Sequence, residues 1–468
     1  MSDETNARRT HALVMGASLG GLLTARILSD HFEQVTLVER DPVSHQPESR
    51  HGQPHTCHLH GLLPGGLRIM QHYFPDLEQA LSASGANVGD FAEMMVWNTH
   101  GGYRRPFTMN LTAVTMSRPL LEHLIRERVL ALHNVRLIDQ HQVRELRISG
   151  DRRRITGVTM QPRNGGSLQQ IVADLVVDAT GRGSHSPQWL RELGYEAPPV
   201  SEVQVKVSYA TRLFKRNPAD ARSRSWFLYT PDAPQESHFG AAFPIEGDRW
   251  IMSVGGWHGE TVPLDDAGFT AFVRSLPMPE LYDIARQNEP LSDPRPYRFP
   301  ASLRRHYEKL KRFPLGYLVL GDAISSFNPT YGQGMTSAAM QVAALDQLLT
   351  DKTPDDQLAK RFFGRAAQVI DIPWQLAVGE DFRYAQTVGP KPPGIDLVNR
   401  YVSLVQRATH RDKVVCAAFL RVMSLLKPPA SLFHPRIVWR VLRDNWFRKA
   451  PVPEVVAATR RRSDVVAG

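Results

Sequence analysis

Near the start of the chain the apolar run Ala12-Leu13-Val14-Met15 breaks at Gly16-Ala17-Ser18-Leu19-Gly20-Gly21. A mainly apolar segment, Leu22 to Leu28, follows, and a second run, Val35 to Val38, ends at Glu39. Runs that are continuously apolar, without alternation, predict strands buried on both faces; with the helix between them they predict a βαβ unit. Ala173 to Ala179 and Tyr317 to Leu320 have the same character and predict later strands returning to that sheet, each stopped by glycine, at Thr180-Gly181-Arg182-Gly183 and at Gly321-Asp322. A long helix is predicted over Met335 to Leu349.

Other segments alternate. Val135 to Leu137, Gln142 to Ile148 and Ile155 to Met160 predict a half-exposed antiparallel meander, and Val203 to Val207, Trp226 to Tyr229 and Trp250 to Val254 predict a second, mainly antiparallel sheet. Arg50 to Leu63, rich in His, Gly and Pro, reads as a loop, Gly66 to Tyr73 and Pro119 to Leu132 as helices, and residues 87 to 115 as short extended segments. Beyond residue 351 the pattern is helical, with Val414 to Leu426 its most apolar stretch. No repeat or low-complexity region interrupts it.

With 468 residues, 42% apolar and 22% charged, the chain has the composition of a soluble globular protein of more than one subdomain. No run reaches the length of a membrane span, and the opening residues lack a secretory apolar region, so a cytoplasmic protein with no integral membrane association is expected. Two cysteines, Cys57 and Cys416, exclude a disulfide framework, and redox chemistry would have to come from a cofactor. The net charge of +9 is largely scattered along the chain, and Arg460-Arg461-Arg462 near the C-terminus reads as a solvated tail, so nucleic acid is not expected.

Two stretches carry candidate chemistry. In the first, Gly16 makes a tight turn and Gly21 lets helix and strand pack closely. Backbone N–H groups at the helix start can then face a pyrophosphate, and Glu39 can accept from an adenosine ribose. Ser18 stands where a middle glycine is usual, and its hydroxyl is a potential phosphate donor. In the second, Leu318 to Met340, Asp322 is placed to accept from a sugar-like hydroxyl, and Pro329, Gly332, Gln333 and Gly334 precede a helix whose positive end suits negative charge. His51, His55, His58 and His60 with Cys57 have the residue types of a metal site but no second ligand pair, so they read as a loop near the cofactor and no metal is expected. Tyr209, Trp226, Phe227, Tyr229, Phe239, Phe243 and Trp250 are candidates for an apolar pocket or for plain sheet core.

GASLGG with Glu39, VVDATGRGS at Val176 to Ser184, and GDAISSFNPTYGQGM from Gly321 together resemble the single-component flavoprotein monooxygenases of the para-hydroxybenzoate hydroxylase fold. RHGQPHTCHLHGLL, PQWL, RPYRFPASLRRHYE and KPPASLFHPRIVWRVL are similar to the branch containing bacterial flavin epoxidases and hydroxylases of natural-product biosynthesis. DRWIMSVGGW departs from the WxWxI motif of flavin halogenases, and a YxWxFP-type reductase motif is absent.

The resemblance implies an α/β protein: a glutathione-reductase-type Rossmann FAD-binding domain (10–75, 112–190 and 312–350), an inserted antiparallel-sheet substrate domain (76–111 and 191–311) and a helical C-terminal region (351–468). It implies FAD contacts from Gly16, Ser18, Gly20, Gly21, Glu39, Arg40, Arg118, Val143, Asp322, Pro329, Gly332, Gln333, Gly334 and Met335. Arg118 would serve the phosphate and ribose region, Val143 the adenine, and Gly332 to Met335 the flavin ring. Arg50, His58 and His60 are positioning candidates, and no general base is assigned. The implied reaction is transfer of one oxygen atom from O2 to a hydrophobic alkene or aromatic substrate through a flavin C4a-(hydro)peroxide, with NAD(P)H as electron donor directly or through a flavin reductase. The alternatives are a flavin-dependent dehydrogenase or reductase on the same fold, and a non-catalytic FAD-fold escort.

Overall fold

A computed structural model describes residues 9–447; the Arg460-Arg461-Arg462 run lies outside these. Five parallel strands form the first sheet, in the order Tyr317–Val319, Leu175–Asp178, Arg9–Met15, Phe32–Val38, Val135–Ile138. Val14 stands beside Leu37 on one side and Val177 on the other. Ala12, Leu13 and Val14 are fully buried, because helices Leu19–His31, Arg118–Leu130 and Gly334–Thr350 pack at this sheet while a three-stranded antiparallel sheet, His141–Ile148, Ile155–Pro162 and Gln169–Val172, shares the same core. Solvent reaches neither face at the carboxyl ends of the central strands, so apolar residues fill nearly every buried position, Thr36 being the exception on Phe32–Val38.

One expected element changes partner. Val135–Ile138 is not part of the antiparallel meander; it pairs in parallel with Phe32–Val38 as the edge of the first sheet. A half-exposed edge strand alternates as a meander strand does, so four residues of pattern cannot tell the two apart.

The second sheet has eight strands, in the order Ser325–Ser326, Arg295–Arg305, Val200–Lys215, Arg249–Gly256, His238–Ile245, Trp226–Tyr229, Met95–Thr99, Gly102–Tyr103. It is antiparallel apart from the pairing of Trp226–Tyr229 with Met95–Thr99. Since Ser325–Ser326 comes only a few residues after Tyr317–Val319, the chain steps directly from one sheet to the other at Gly321–Ile324. The carboxyl ends of the parallel strands therefore open against the second sheet, where open α/β folds hold their ligands. Helices Asp355–Asp381, Ile395–Ala408, Lys413–Met423 and Pro435–Phe447 complete the described chain. Val405, Val415, Phe419, Ile437 and Val441 from the last three pack into one core with Phe91, Trp97, Trp226 and Phe243. Among the described residues no helix is long and apolar enough to cross a membrane.

Candidate active site

A cleft of about 630 Å³ runs between the two sheets. Its first end is built on the turn after the first strand. Gly16 adopts φ +95°, and a Cβ there would lie 2.8 Å from the Ala179 carbonyl oxygen; a Cβ on Gly21 would lie 1.8 Å from the Gly16 carbonyl oxygen. The chain's own backbone thus requires both glycines. Gly16, Ser18, Gly20, Glu39, Arg40, Arg118 and Val143 line this end, while Gly21 lies beneath it as the packing contact.

Beneath the turn sits a balanced cluster of buried charge. Glu39 accepts from the Ala17 N–H at 2.8 Å and pairs with Arg50 at 3.0 Å. Glu122 accepts from Arg118 Nε at 2.9 Å and Nη2 at 2.7 Å and from the Ser18 hydroxyl at 2.6 Å, and Arg50 also reaches it at 3.5 Å. Burial alone would raise the Glu122 carboxyl, but Arg118, Ser18 and Arg50 outweigh it and hold it down at about 2. Two departures from the sequence reading follow. The Ser18 proton goes to a carboxylate and is not free for phosphate, and Arg50 is not in the cleft wall but braces Glu39 against Glu122. Glu122 itself escaped sequence reasoning; its one signal was the four-residue spacing from Arg118 in a helix that also carries His123, Arg126, Glu127 and Arg128.

Midway along the cleft stands Asp322, on the single turn Gly321–Ala323. Protein surrounds it, yet its side chain is well exposed, because what it faces is the cleft. Burial raises its carboxyl above the usual range against the pull of Arg118 and Arg182. Pro329, Gly332, Gly334 and Met335 line the cleft beyond it, at the N-terminus of the Gly334–Thr350 helix. Gly332 is left-handed at φ +68°, but Gly334 is not, and a Cβ on Gly334 would meet nothing within 4 Å. Neither backbone strain nor packing explains a glycine there, whereas a group bound against the helix N–H donors does. Gln333 departs from the reading: it is 1% exposed, does not line the cleft, and its side chain donates to the Met423 carbonyl at 3.0 Å.

Behind this loop is a hub that the sequence did not reveal. Asp381, fully buried, accepts through one oxygen from Asn328 Nδ2 at 2.9 Å, Tyr331 OH at 2.9 Å and Trp257 Nε1 at 3.1 Å. Burial pushes its carboxyl up to about 7, although the three donors pull the other way. Arg182, within the VVDATGRGS stretch but given no role of its own, also lines the cleft, donating to Ser326 at 2.6 Å with its guanidinium over Phe299.

The far end is apolar. Along Trp226–Tyr229 side chains alternate between faces, so Trp226 and Leu228 reach the cleft while Phe227 and Tyr229 enter a separate core with Trp250 and Phe269. Tyr209, Phe239 and Phe243 also face the cleft. Phe91 and Trp97 join them; sequence reading missed both, because the pairing of Met95–Thr99 with Trp226–Tyr229 spans more than a hundred residues.

Of the loop histidines, His55 and His60 line the cleft, whereas His58 is packed between Tyr209 and Tyr297 and bonded to Thr211 at 2.8 Å. Burial lowers His55 and His58 to about 4 and His60 to about 3, so all three are neutral near pH 7. His60 Nδ1 donates to the His58 carbonyl at 2.9 Å, which leaves Nε2 as an acceptor. Among the described residues no group of three or more His, Cys, Asp or Glu could hold a metal ion.

Comparison with known proteins agrees with this architecture. The FAD binding domain family matches residues 64–206. Protein Rv3254 of Mycobacterium tuberculosis is 30% identical over 98% of this chain and 100% of its own length. Among solved structures, PqsL of Pseudomonas aeruginosa shares 18% identity with a TM-score of 0.57, covering 80% of this chain and 98% of its own. 2-Methyl-3-hydroxypyridine-5-carboxylic acid oxygenase shares 16% with a TM-score of 0.59 (90% and 98%), and the flavin-dependent brominase Bmp2 shares 14% with a TM-score of 0.63 (94% and 100%). At these identities the solved structures speak for the fold. The chain belongs to the family of Rv3254, and it shares the fold of FAD-dependent flavoproteins of the para-hydroxybenzoate hydroxylase type.

Proposed function

We propose that this protein inserts one atom of O2 into a hydrophobic alkene or aromatic substrate, an epoxidation or hydroxylation belonging to secondary metabolism, with electrons from NAD(P)H supplied directly or through a flavin reductase. The observation that carries this reading is the continuity of the cleft: glycine turns and the buried Arg118 at one end, Asp322 and a helix N-terminus in the middle, and a chamber of Phe91, Trp97, Trp226, Leu228, Phe239 and Phe243 at the other.

FAD fits this lining. Its adenine half would lie along Gly16 to Glu39 with Arg118 and Val143, and its reactive half along Asp322 to Met335. Bound there, it supplies the activation of oxygen. The chain's own contributions are positional and electrostatic. The N–H groups at the start of Gly334–Thr350 stabilise negative charge, Asp322 holds a hydroxyl, and the aromatic chamber orients an apolar substrate and excludes water. The neutral histidines add an acceptor at His60 Nε2 without placing a cation beside the substrate.

The test is turnover of the FAD-loaded protein with NADH or NADPH, with and without a flavin reductase, on a panel of apolar alkenes and arenes under isotopically labelled dioxygen. One labelled oxygen atom per product molecule is expected. Product formed without oxygen and without label would replace this reading with a dehydrogenase.

A further inference from the structure

The last described helix has two distinct faces. Ile437 and Val441 point inward, 8% and 0% exposed, into the core shared with the apolar chamber. Arg436, Trp439, Arg443 and Trp446 recur at the spacing that confines them to a strip about 80° wide on the opposite face. Trp439 is 61% exposed and Trp446 64%. Two indoles left open on one helix are unusual in a protein whose other six tryptophans are buried or half-buried.

The neighbouring helix Ile395–Ala408 extends the surface. Leu397 is 70% exposed, and one turn on Tyr401 stacks on the exposed Phe433 with ring centres 4.8 Å apart. The charge in this region is mostly basic, although Arg407 lies 3.8 Å from Asp232. Arg400, Arg407, Lys413, Lys427 and Arg436 are exposed. Between residues 395 and 446 there is no glutamate, and of the three aspartates Asp412 and Asp444 are buried in ion pairs with arginines while Asp396 pairs with Lys391.

We propose that the outer face of helices Ile395–Ala408 and Pro435–Phe447 seats the protein on the surface of an anionic phospholipid bilayer. Tryptophan is the side chain that settles at the boundary between headgroups and acyl chains, and arginines beside it meet lipid phosphates. A second copy fits less well, since a two-fold contact would set this basic face against itself. The inner faces of the same helices pack behind Trp97 and Trp226, so the seat adjoins the end of the cleft that would receive a lipophilic molecule. The docking itself does not depend on the proposed reaction.

The experiment is co-sedimentation of the full-length, FAD-loaded protein with vesicles of phosphatidylglycerol and phosphatidylcholine, against vesicles of phosphatidylcholine alone, with light scattering of the free protein in parallel. Partition onto the anionic vesicles at least about tenfold stronger is expected, weakening as salt is raised. The double variant W439S/W446S should lose about tenfold of that partition while keeping its FAD and its molecular mass. No partition onto anionic vesicles, or partition indifferent to the double substitution, would overturn the proposal; so would a fall in mass of the double variant from dimer to monomer, which would assign the face to a second copy.

Discussion

Replacing Glu122 with glutamine tests the charge cluster under the cofactor turn. The side chain is 4% exposed, and its oxygens take two hydrogen bonds from Arg118, one from Ser18 and the approach of Arg50. Its carboxyl stands at about 2 in the folded protein against an ordinary 4.5. A depression of that size, at about 1.4 kcal/mol per pH unit, amounts to about 3 kcal/mol of folding stability. Because the folded value is the lower one, this contribution is fully present above about pH 4.5 and is lost as the pH falls towards 2.

Glutamine keeps the shape and removes the charge, leaving Arg50 and Arg118, at 6% and 8% side-chain exposure, with Glu39 alone for compensation. The same figure of about 3 kcal/mol is what breaking a buried ion pair costs in general. Guanidinium unfolding of wild type and variant at saturating FAD, repeated from pH 7 down to pH 3, measures it. The expected result is a loss of about 3 kcal/mol at pH 7 that narrows below pH 4.5, together with weaker FAD binding by fluorescence titration. A loss under about 1 kcal/mol, or one that stays constant down to pH 3, would refute the reasoning.

Two glycine variants should behave oppositely. Gly21→Ala places a Cβ 1.8 Å from the Gly16 oxygen and should prevent stable folding, while Gly334→Ala meets nothing within 4 Å and should hold melting temperature within a few degrees yet release FAD; equal effects on melting would contradict this. Asp322→Ala should purify depleted of FAD, and a fully loaded yellow variant would remove Asp322 from the site. For Asp381 the shift is upward, to about 7 from 3.8, so its contribution to stability falls as pH rises between those values. The stability of wild type relative to Asp381→Asn should therefore drop by about 4 kcal/mol across that window, and a flat difference in denaturant midpoints would exclude the assignment.

Much of the cofactor half of this protein was written locally. Buried parallel strands must be apolar at nearly every position, and a strand turning into a helix beside a phosphate needs glycine at fixed offsets, so Ala12 to Glu39 and Leu318 to Met335 announced themselves in order. Gly16 and Gly334 lie where their spacing implied. Glu122, Asp381, Phe91 and Trp97 did not show themselves. Glu122 looks like one more helical charge until Arg50, Arg118 and Ser18 converge on it, and Asp381 lies about fifty residues along the chain from Asn328 and Tyr331. The histidines mark the same limit: six residues of sequence hold His55, His58 and His60 together, but only burial made them neutral, and only the second sheet set His58 between two tyrosines.

The sequence by itself therefore determined the glycine turns and the buried strands that frame one half of the cleft, because backbone conformation and strand burial depend on neighbours within a few residues. Tertiary structure alone decided which edge Val135–Ile138 joins, which aromatics of an alternating strand face the cleft, and which charges are neutralised, because these depend on partners from about fifty to more than a hundred residues distant that only the folded chain brings together.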